Sequence, residues 1–195
     1  MQEILTALVQ DPDRTNAIAA VANVLIAVIA LIIAAVSIFV SVSSLGSQKT
    51  HNKLSVRPLP FIAIADYEDR LWVKLVNNGA GPLIVLSTEV CGNNQSSKGV
   101  IERMPKMPPQ LAWKSFTSGM QNRSVPPSSE LFFIDLTGNP NDPVFQGFRD
   151  KCRQALAELH VSVQYTDIYG DSFDSLTRDL KWFERHLMAK NGPVV

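Results

Sequence analysis

The sequence predicts one membrane-spanning α-helix joined to a mainly antiparallel β-sandwich with a single inserted helix. Three observations carry this expectation. Residues 17–42 are apolar except for Asn23, Ser37 and Ser41, and no charge falls between Arg14 and Lys49. From residue 54 onward the apolar pattern alternates in short runs broken by Gly, Pro and Asn clusters. One window in that region, residues 144–159, returns to helical spacing.

The apolar run comes first. Roughly 25 residues rising about 1.5 Å each reach beyond the roughly 30 Å hydrocarbon core, so the segment spans with some tilt. A core helix of a soluble protein keeps a charged face toward water, and this one has none. A secretory signal needs a basic start and a shorter apolar stretch, whereas this chain begins with Glu3, Asp11 and Asp13. Ahead of the span, Ile4, Leu5, Leu8 and Val9 sit at helical spacing, so residues 1–15 read as a short segment containing an interfacial helix. Asp13 or Thr15 is expected to cap a transmembrane helix over 16–45. Gly46 is expected to end it. Residues 46–53 then form a polar connector, 54–187 the sandwich, and 188–195 a flexible tail.

One face of the span is distinctive. Steps of three and four pass through Asn16, Ala20, Asn23, Ala27, Ala30, Ala34, Ser37, Ser41 and Ser44, all small or polar. Small residues let helix backbones approach closely, which favours association inside a bilayer. The heptad spacing implies left-handed crossing near +20° and a homo-oligomer. Asn23 is costly against lipid and favourable against a partner helix, unless it lies at the interface near the helix end.

Charge sets the expected orientation. Arg14 is the only basic residue before the span, whereas Lys49, Lys53 and Arg57 follow it closely. The positive-inside bias places the N-terminus outside and the domain in the cytoplasm, with these basic side chains near lipid headgroups. Asn94-Gln95-Ser96 and Asn122-Arg123-Ser124 are acceptor-type triplets that stay silent there.

The domain elements follow in order. Residues 59–65, entered through Pro58 and Pro60, read as a first strand. Residues 70–76 read as a second, with Leu71, Val73 and Leu75 on one face. Asn77-Asn78-Gly79-Ala80-Gly81-Pro82 is a turn, since Asn and Gly readily take positive φ. Residues 83–90 form a third strand, apolar nearly throughout, and therefore central or covered on both faces. Val100-Ile101 suggests a short edge strand. Residues 111–117 and 130–136 are further strands, with Arg123-Ser124-Val125-Pro126-Pro127 as the break before the second. Residues 144–159 carry a helical stripe of Phe145, Phe148, Cys152, Leu156 and Leu159. Residues 160–167 alternate again, and 171–182 close the domain as their hairpin partner.

The 195 residues hold 18 basic and 18 acidic side chains, so the net charge is zero. No basic run suggests general nucleic-acid binding. Cys91 and Cys152 are too few for a disulfide scaffold and too far apart for a metal knuckle. His51, His160 and His186 lie far apart and no metal spacing appears, so no metal or cofactor is expected. Asp167, Asp171 and Asp174 read as a solvated hairpin turn, as do Asp66, Glu68 and Asp69. The Asn77-Asn78-Gly79 amides are a weak candidate for an anion. No nucleophile elbow or phosphate-cradling loop is present, so no catalytic residue is assigned and enzyme activity is the weakest reading.

Three patches occur together: Ser55-Val56-Arg57-Pro58 after the span, Val76-Asn77-Asn78-Gly79-Ala80-Gly81-Pro82-Leu83-Ile84, and Tyr165-Thr166-Asp167-Ile168-Tyr169-Gly170-Asp171-Ser172-Phe173. The set resembles bacterial single-span membrane proteins carrying an immunoglobulin-like β-sandwich, many without assigned function. The layout more loosely resembles membrane effectors of antiphage, CRISPR-type defence, in which a cytosolic sensor of cyclic nucleotides triggers membrane disruption. These resemblances imply a bacterial inner-membrane protein whose sandwich binds a small anionic ligand, such as a cyclic nucleotide, or a protein partner. The alternative is a passive membrane-anchored scaffold without channel activity.

Overall fold

The structure, a computed structural model, describes residues 12–185. Cα packing divides the chain into Met1–Asn52 and Lys53–Val195. The expected interfacial helix before residue 11, the tail over 188–195 and His186 lie outside the described residues.

Helix α1 runs unbroken over Pro12–Ser55, 44 residues or about 66 Å. It is long and apolar enough to cross a membrane. Two expectations need correction. Gly46 does not end the helix, and residues 46–53 are helical rather than a connector. A glycine stops a helix when it turns left-handed, and Gly46 keeps a negative φ. Gln48, Lys49 and Lys53 favour helix, and the Thr50 hydroxyl donates to the Gly46 carbonyl at 3.3 Å. Pro58 is the effective stop, because it disfavours helical backbone at Arg57. The Arg57 amide closes the last turn on the Leu54 carbonyl at 3.3 Å. Asp13 sits in the first turn and Thr15 within the helix, so neither is an N-cap.

The second unit is a two-sheet antiparallel domain. The strands are β1 Pro60–Asp66, β2 Arg70–Asn77, β3 Leu83–Gly92, β4 Gln95–Ser97, β5 Trp113–Phe116, β6 Ser124–Val125, β7 Ser129–Thr137, β8 His160–Thr166 and β9 Leu176–Asp179. Helix α2, Pro143–Ala157, lies between β7 and β8. One sheet has the order β1-β2-β7-β5. The other has β4-β3-β8-β9, with β6 also pairing to β3. The β1–β2 register sets Ile62 opposite Leu75, and the β3–β8 register sets Val90 opposite Val161.

The core forms between the sheets as the alternation demands. Leu71, Val73 and Leu75 from one sheet meet Leu83, Val85, Val161 and Val163 from the other, all fully buried. Strand β3 is central, but only one face is covered: Leu86 is 42% exposed and Glu89 faces solvent. Val100-Ile101 is not an edge strand. It opens the 3₁₀ turn Val100–Arg103, and β4 takes the edge instead. The expected break at 123–127 contains β6.

Helix α2 starts on a cap that the sequence supports. Asp142 accepts from the Val144 amide at 2.9 Å, and Pro143 occupies the first turn. Its stripe packs inward as expected. Phe145, Phe148 and Cys152 join Leu136 in a second cluster, and Leu156 enters the main core. Arg153 ties the helix to β1 through a bidentate pair with Asp66, both contacts at 2.7 Å. The Asp66 side chain is fully enclosed, which corrects its reading as part of a solvated turn; Glu68 and Asp69 are exposed.

Candidate functional site

The three familiar patches, far apart in sequence, meet at one end of the sandwich. There the entry segment, residues 53–59, is held by two loops. The first loop follows β2. Along β2 the inward positions are Leu71, Val73, Leu75 and then Asn77, so alternation delivers a carboxamide to the core face. Asn77 is completely buried. Its Oδ1 accepts from the amides of Gly79 at 3.0 Å and Leu59 at 3.2 Å. Its Nδ2 donates to the carbonyls of Gly81 at 2.8 Å, Val125 at 3.0 Å and Pro126 at 3.3 Å. One side chain thus joins the entry segment, its own loop and β6.

The glycines of this loop serve contact rather than turn geometry. Neither Gly79 nor Gly81 has a positive φ. A Cβ on Gly81 would lie 1.7 Å from the Val56 carbonyl oxygen, and one on Gly79 would lie 2.4 Å from that of Arg57. Only hydrogen fits at this approach. The loop amides are also spent internally, with Asn78 donating to the Leu59 carbonyl at 2.9 Å.

The second loop links β8 to β9. Asp167 is buried and its Oδ1 accepts from the amides of Tyr169 at 2.8 Å and Asp171 at 3.0 Å. The Thr166 hydroxyl donates to the Asp171 carbonyl at 2.8 Å, and Gly170 turns the chain with φ +76°. This shape sets Asp171 against Lys53, with Nζ to carboxylate distances of 2.8 and 3.0 Å. Lys53 also lies 5.5 Å from the Tyr169 ring centre, and the Arg57 guanidinium 5.0 Å from that of Phe173. Phe173 in turn stacks on Tyr165 at 5.2 Å. Burial pushes the Tyr165 phenol up in pKa. Two of the three basic residues chosen from sequence therefore have partners in the domain. Lys49 is exposed and forms no ion pair among the described residues.

On α1, the stripe residues Ala20, Asn23, Ala27, Ala30, Ala34, Ser37 and Ser41 are all exposed. The Ser37 hydroxyl donates to the Ile33 carbonyl at 2.8 Å, and that of Ser41 to the Ser37 carbonyl at 2.7 Å. Their protons are already used, and each oxygen remains an acceptor. Asn23 makes no such bond to its own helix. A strict seven-residue repeat drifts about 20° per heptad on a straight helix, so this stripe turns by about 80° from Asn16 to Ser44. It keeps facing a partner only where the helices supercoil left-handedly.

Among the described residues no group of three or more His, Cys, Asp or Glu could hold a metal ion. Cys91 and Cys152 are free thiols, and burial pushes both upward in pKa, Cys152 to about 12. A thiol held protonated is a poor nucleophile. No known protein-family model matches the chain, and no curated protein does either.

Proposed function

We propose that this chain is a single-pass membrane protein that self-associates through the α1 stripe and carries a cytosolic sensing or binding domain. Helix length and apolarity support the span. One basic residue before it and Lys49, Lys53 and Arg57 after it support an outside N-terminus in a bacterial inner membrane. Two free thiols suit a reducing cytoplasm. The strand orders support an immunoglobulin-like reading: β1, β2, β7 and β5 take the places of strands A, B, E and D, and β3, β8 and β9 those of C, F and G.

The observation that carries the coupling is the clamped entry segment. Asn77, Gly79, Gly81 and Asp171 hold residues 53–59 by a part-buried hydrogen bond to the Leu59 amide, close backbone contact and an ion pair. Ligand or partner binding that shifts either loop therefore moves the chain leading to α1. The effect on the membrane would be that of a defence effector, opening or perturbing the bilayer.

Full-length protein in dye-loaded vesicles tests this. Dye release that depends on a ligand or partner supports the effector reading; a crosslinked oligomer that never releases dye supports the passive scaffold. Replacing Ala27, Ala30 and Ala34 together by Leu should weaken crosslinking in detergent. A wild-type chain that stays monomeric overturns the oligomer.

A further inference from the structure

We infer that the recess beside the β3 bulge binds a small organic oxyanion. Strand β3 is covered unevenly on the side away from β8. Strand β6 pairs with Leu83 and Ile84, β4 pairs with Val90 through Gly92, and among the described residues no strand covers the stretch between. The loop at 122–123 meets β3 at Val85, whose amide and carbonyl are both engaged at 2.8–2.9 Å, and the Arg123 amide donates to the Met120 carbonyl at 3.0 Å. A bulge between Val85 and Ser87 then turns Leu86 outward. Bulges of this kind re-aim side chains and cluster near binding sites.

The uncovered stretch floors a cavity of about 250 Å³ lined by Ser87, Thr88, Lys98, Gly119, Met120 and Gln121. Its two walls are locked together, since a Cβ on Gly99 would lie 2.8 Å from the Ser118 carbonyl. The volume equals about eight waters, enough for a compact ligand and too small for a dinucleotide. The lining offers the Lys98 ammonium, the Gln121 carboxamide and the Thr88 hydroxyl around the Met120 thioether, while the Ser87 hydroxyl already donates to Gln164 at 3.1 Å. Lys98 is exposed and has no ion pair among the described residues.

Thr88 supplies the independent sign of a ligand. It is 9% exposed, yet its Oγ1 is enclosed and has no hydrogen-bond partner. Buried hydroxyls are nearly always paired, and an orphan calls for an explanation. Turning χ1 by about 120° to the next staggered well carries Oγ1 into the site of Cγ2 and Cγ2 into that of the Cβ hydrogen. That turn presents the hydroxyl to the recess, where an oxyanion accepts from it and from Lys98. The ligand thus satisfies a hydroxyl that the protein's own groups leave unpaired.

The site deepens the sensing reading and rests on it only for its consequence at the membrane. The test is calorimetric titration of the full chain in micelles with glycerol 3-phosphate, succinate and uncharged glycerol. At least one of the two anions should bind with a Kd of about 1 mM or tighter, and glycerol should not. Thr88→Val and Lys98→Gln should each weaken binding about tenfold or more, while tryptophan fluorescence reports an unchanged fold. No heat from either anion at about 10 mM, equal binding of glycerol, or either variant binding like wild type overturns the site. Dye release is read separately: binding without release refutes the coupling and leaves the site standing.

Discussion

Replacing Asn77 by Ala should unhook the entry segment from the sandwich at a cost the structure allows to be worked out. Five polar contacts are lost, two accepted by Oδ1 and three made by the two Nδ2 hydrogens, one of which is shared. Those to Gly79, Gly81 and Val125 are wholly buried, and those to Leu59 and Pro126 are partly so. A buried backbone group left unpaired costs about 1–3 kcal/mol. Three such groups, with some relaxation and water reaching the outer two, give about 3–5 kcal/mol. That is a large share of the roughly 5–15 kcal/mol that holds a domain together. The assay is urea unfolding of the full chain in micelles, followed by tryptophan fluorescence. Trp72, Trp113 and Trp182 all lie in the second unit, so α1 is silent. With a slope of about 2 kcal/mol per molar urea, the midpoint should fall by about 1.5–2.5 M. Asn78 is the internal control: its side chain is exposed and unbonded, so Asn78→Ala should move the midpoint by less than about 0.25 M. An Asn77→Ala shift below about 0.5 M, or equal shifts in the two variants, refutes the clamp.

Three further outcomes are expected. Arg153→Met strands the enclosed Asp66 carboxylate and should cost about 3–5 kcal/mol, much of it recovered in the double variant with Asp66→Leu; equal losses in single and double variants contradict the buried pair. Gly81→Ala should lower the urea midpoint because its Cβ meets the Val56 carbonyl, whereas Gly46→Ala, which meets nothing, should stabilise α1 by about 0.5–1 kcal/mol and slow amide exchange around residue 46. Cys152, pushed up from 9.0 to about 12 by burial, should resist a thiol reagent in the native state, where the half-buried Cys91 reacts slowly; both react in urea. The fold favours the protonated thiol, so the Cys152 contribution is complete below about pH 9 and is lost as pH rises toward 12. Native labelling of both cysteines at neutral pH speaks against this.

Much of the architecture was legible because its signals are local. The apolar run, the β2 alternation and the Phe145–Leu156 stripe each report a period that one element must satisfy by itself. The helix end was misread for the same reason. Gly46 is a local stop signal, but a glycine ends a helix only where the backbone turns left-handed, and good helix formers carry α1 on until Pro58 forbids it. Asn77 was within reach. It continues the inward face of Leu71, Val73 and Leu75, and a polar residue at a core position signals a buried network. The Asn and Gly residues beside it carry an equally strong turn signal, which masks that face. Asp66 could not be separated from Glu68 and Asp69, because its partner Arg153 is 87 residues away.

The sequence by itself determined the apolar helix, the change to alternating strands and the inserted helix, since these depend on neighbours within a few turns or residues. It also chose the small-residue stripe and the basic residues Lys49, Lys53 and Arg57. Tertiary structure decided where Lys53 and Arg57 go. Sheet order brings the loop after β2 and the loop after β8 to the same end, where they hold Lys53 and Arg57; the bulge in β3 opens a recess over Thr88. Such meetings depend on which strands lie side by side, and chain connectivity over roughly a hundred residues carries no local mark of them.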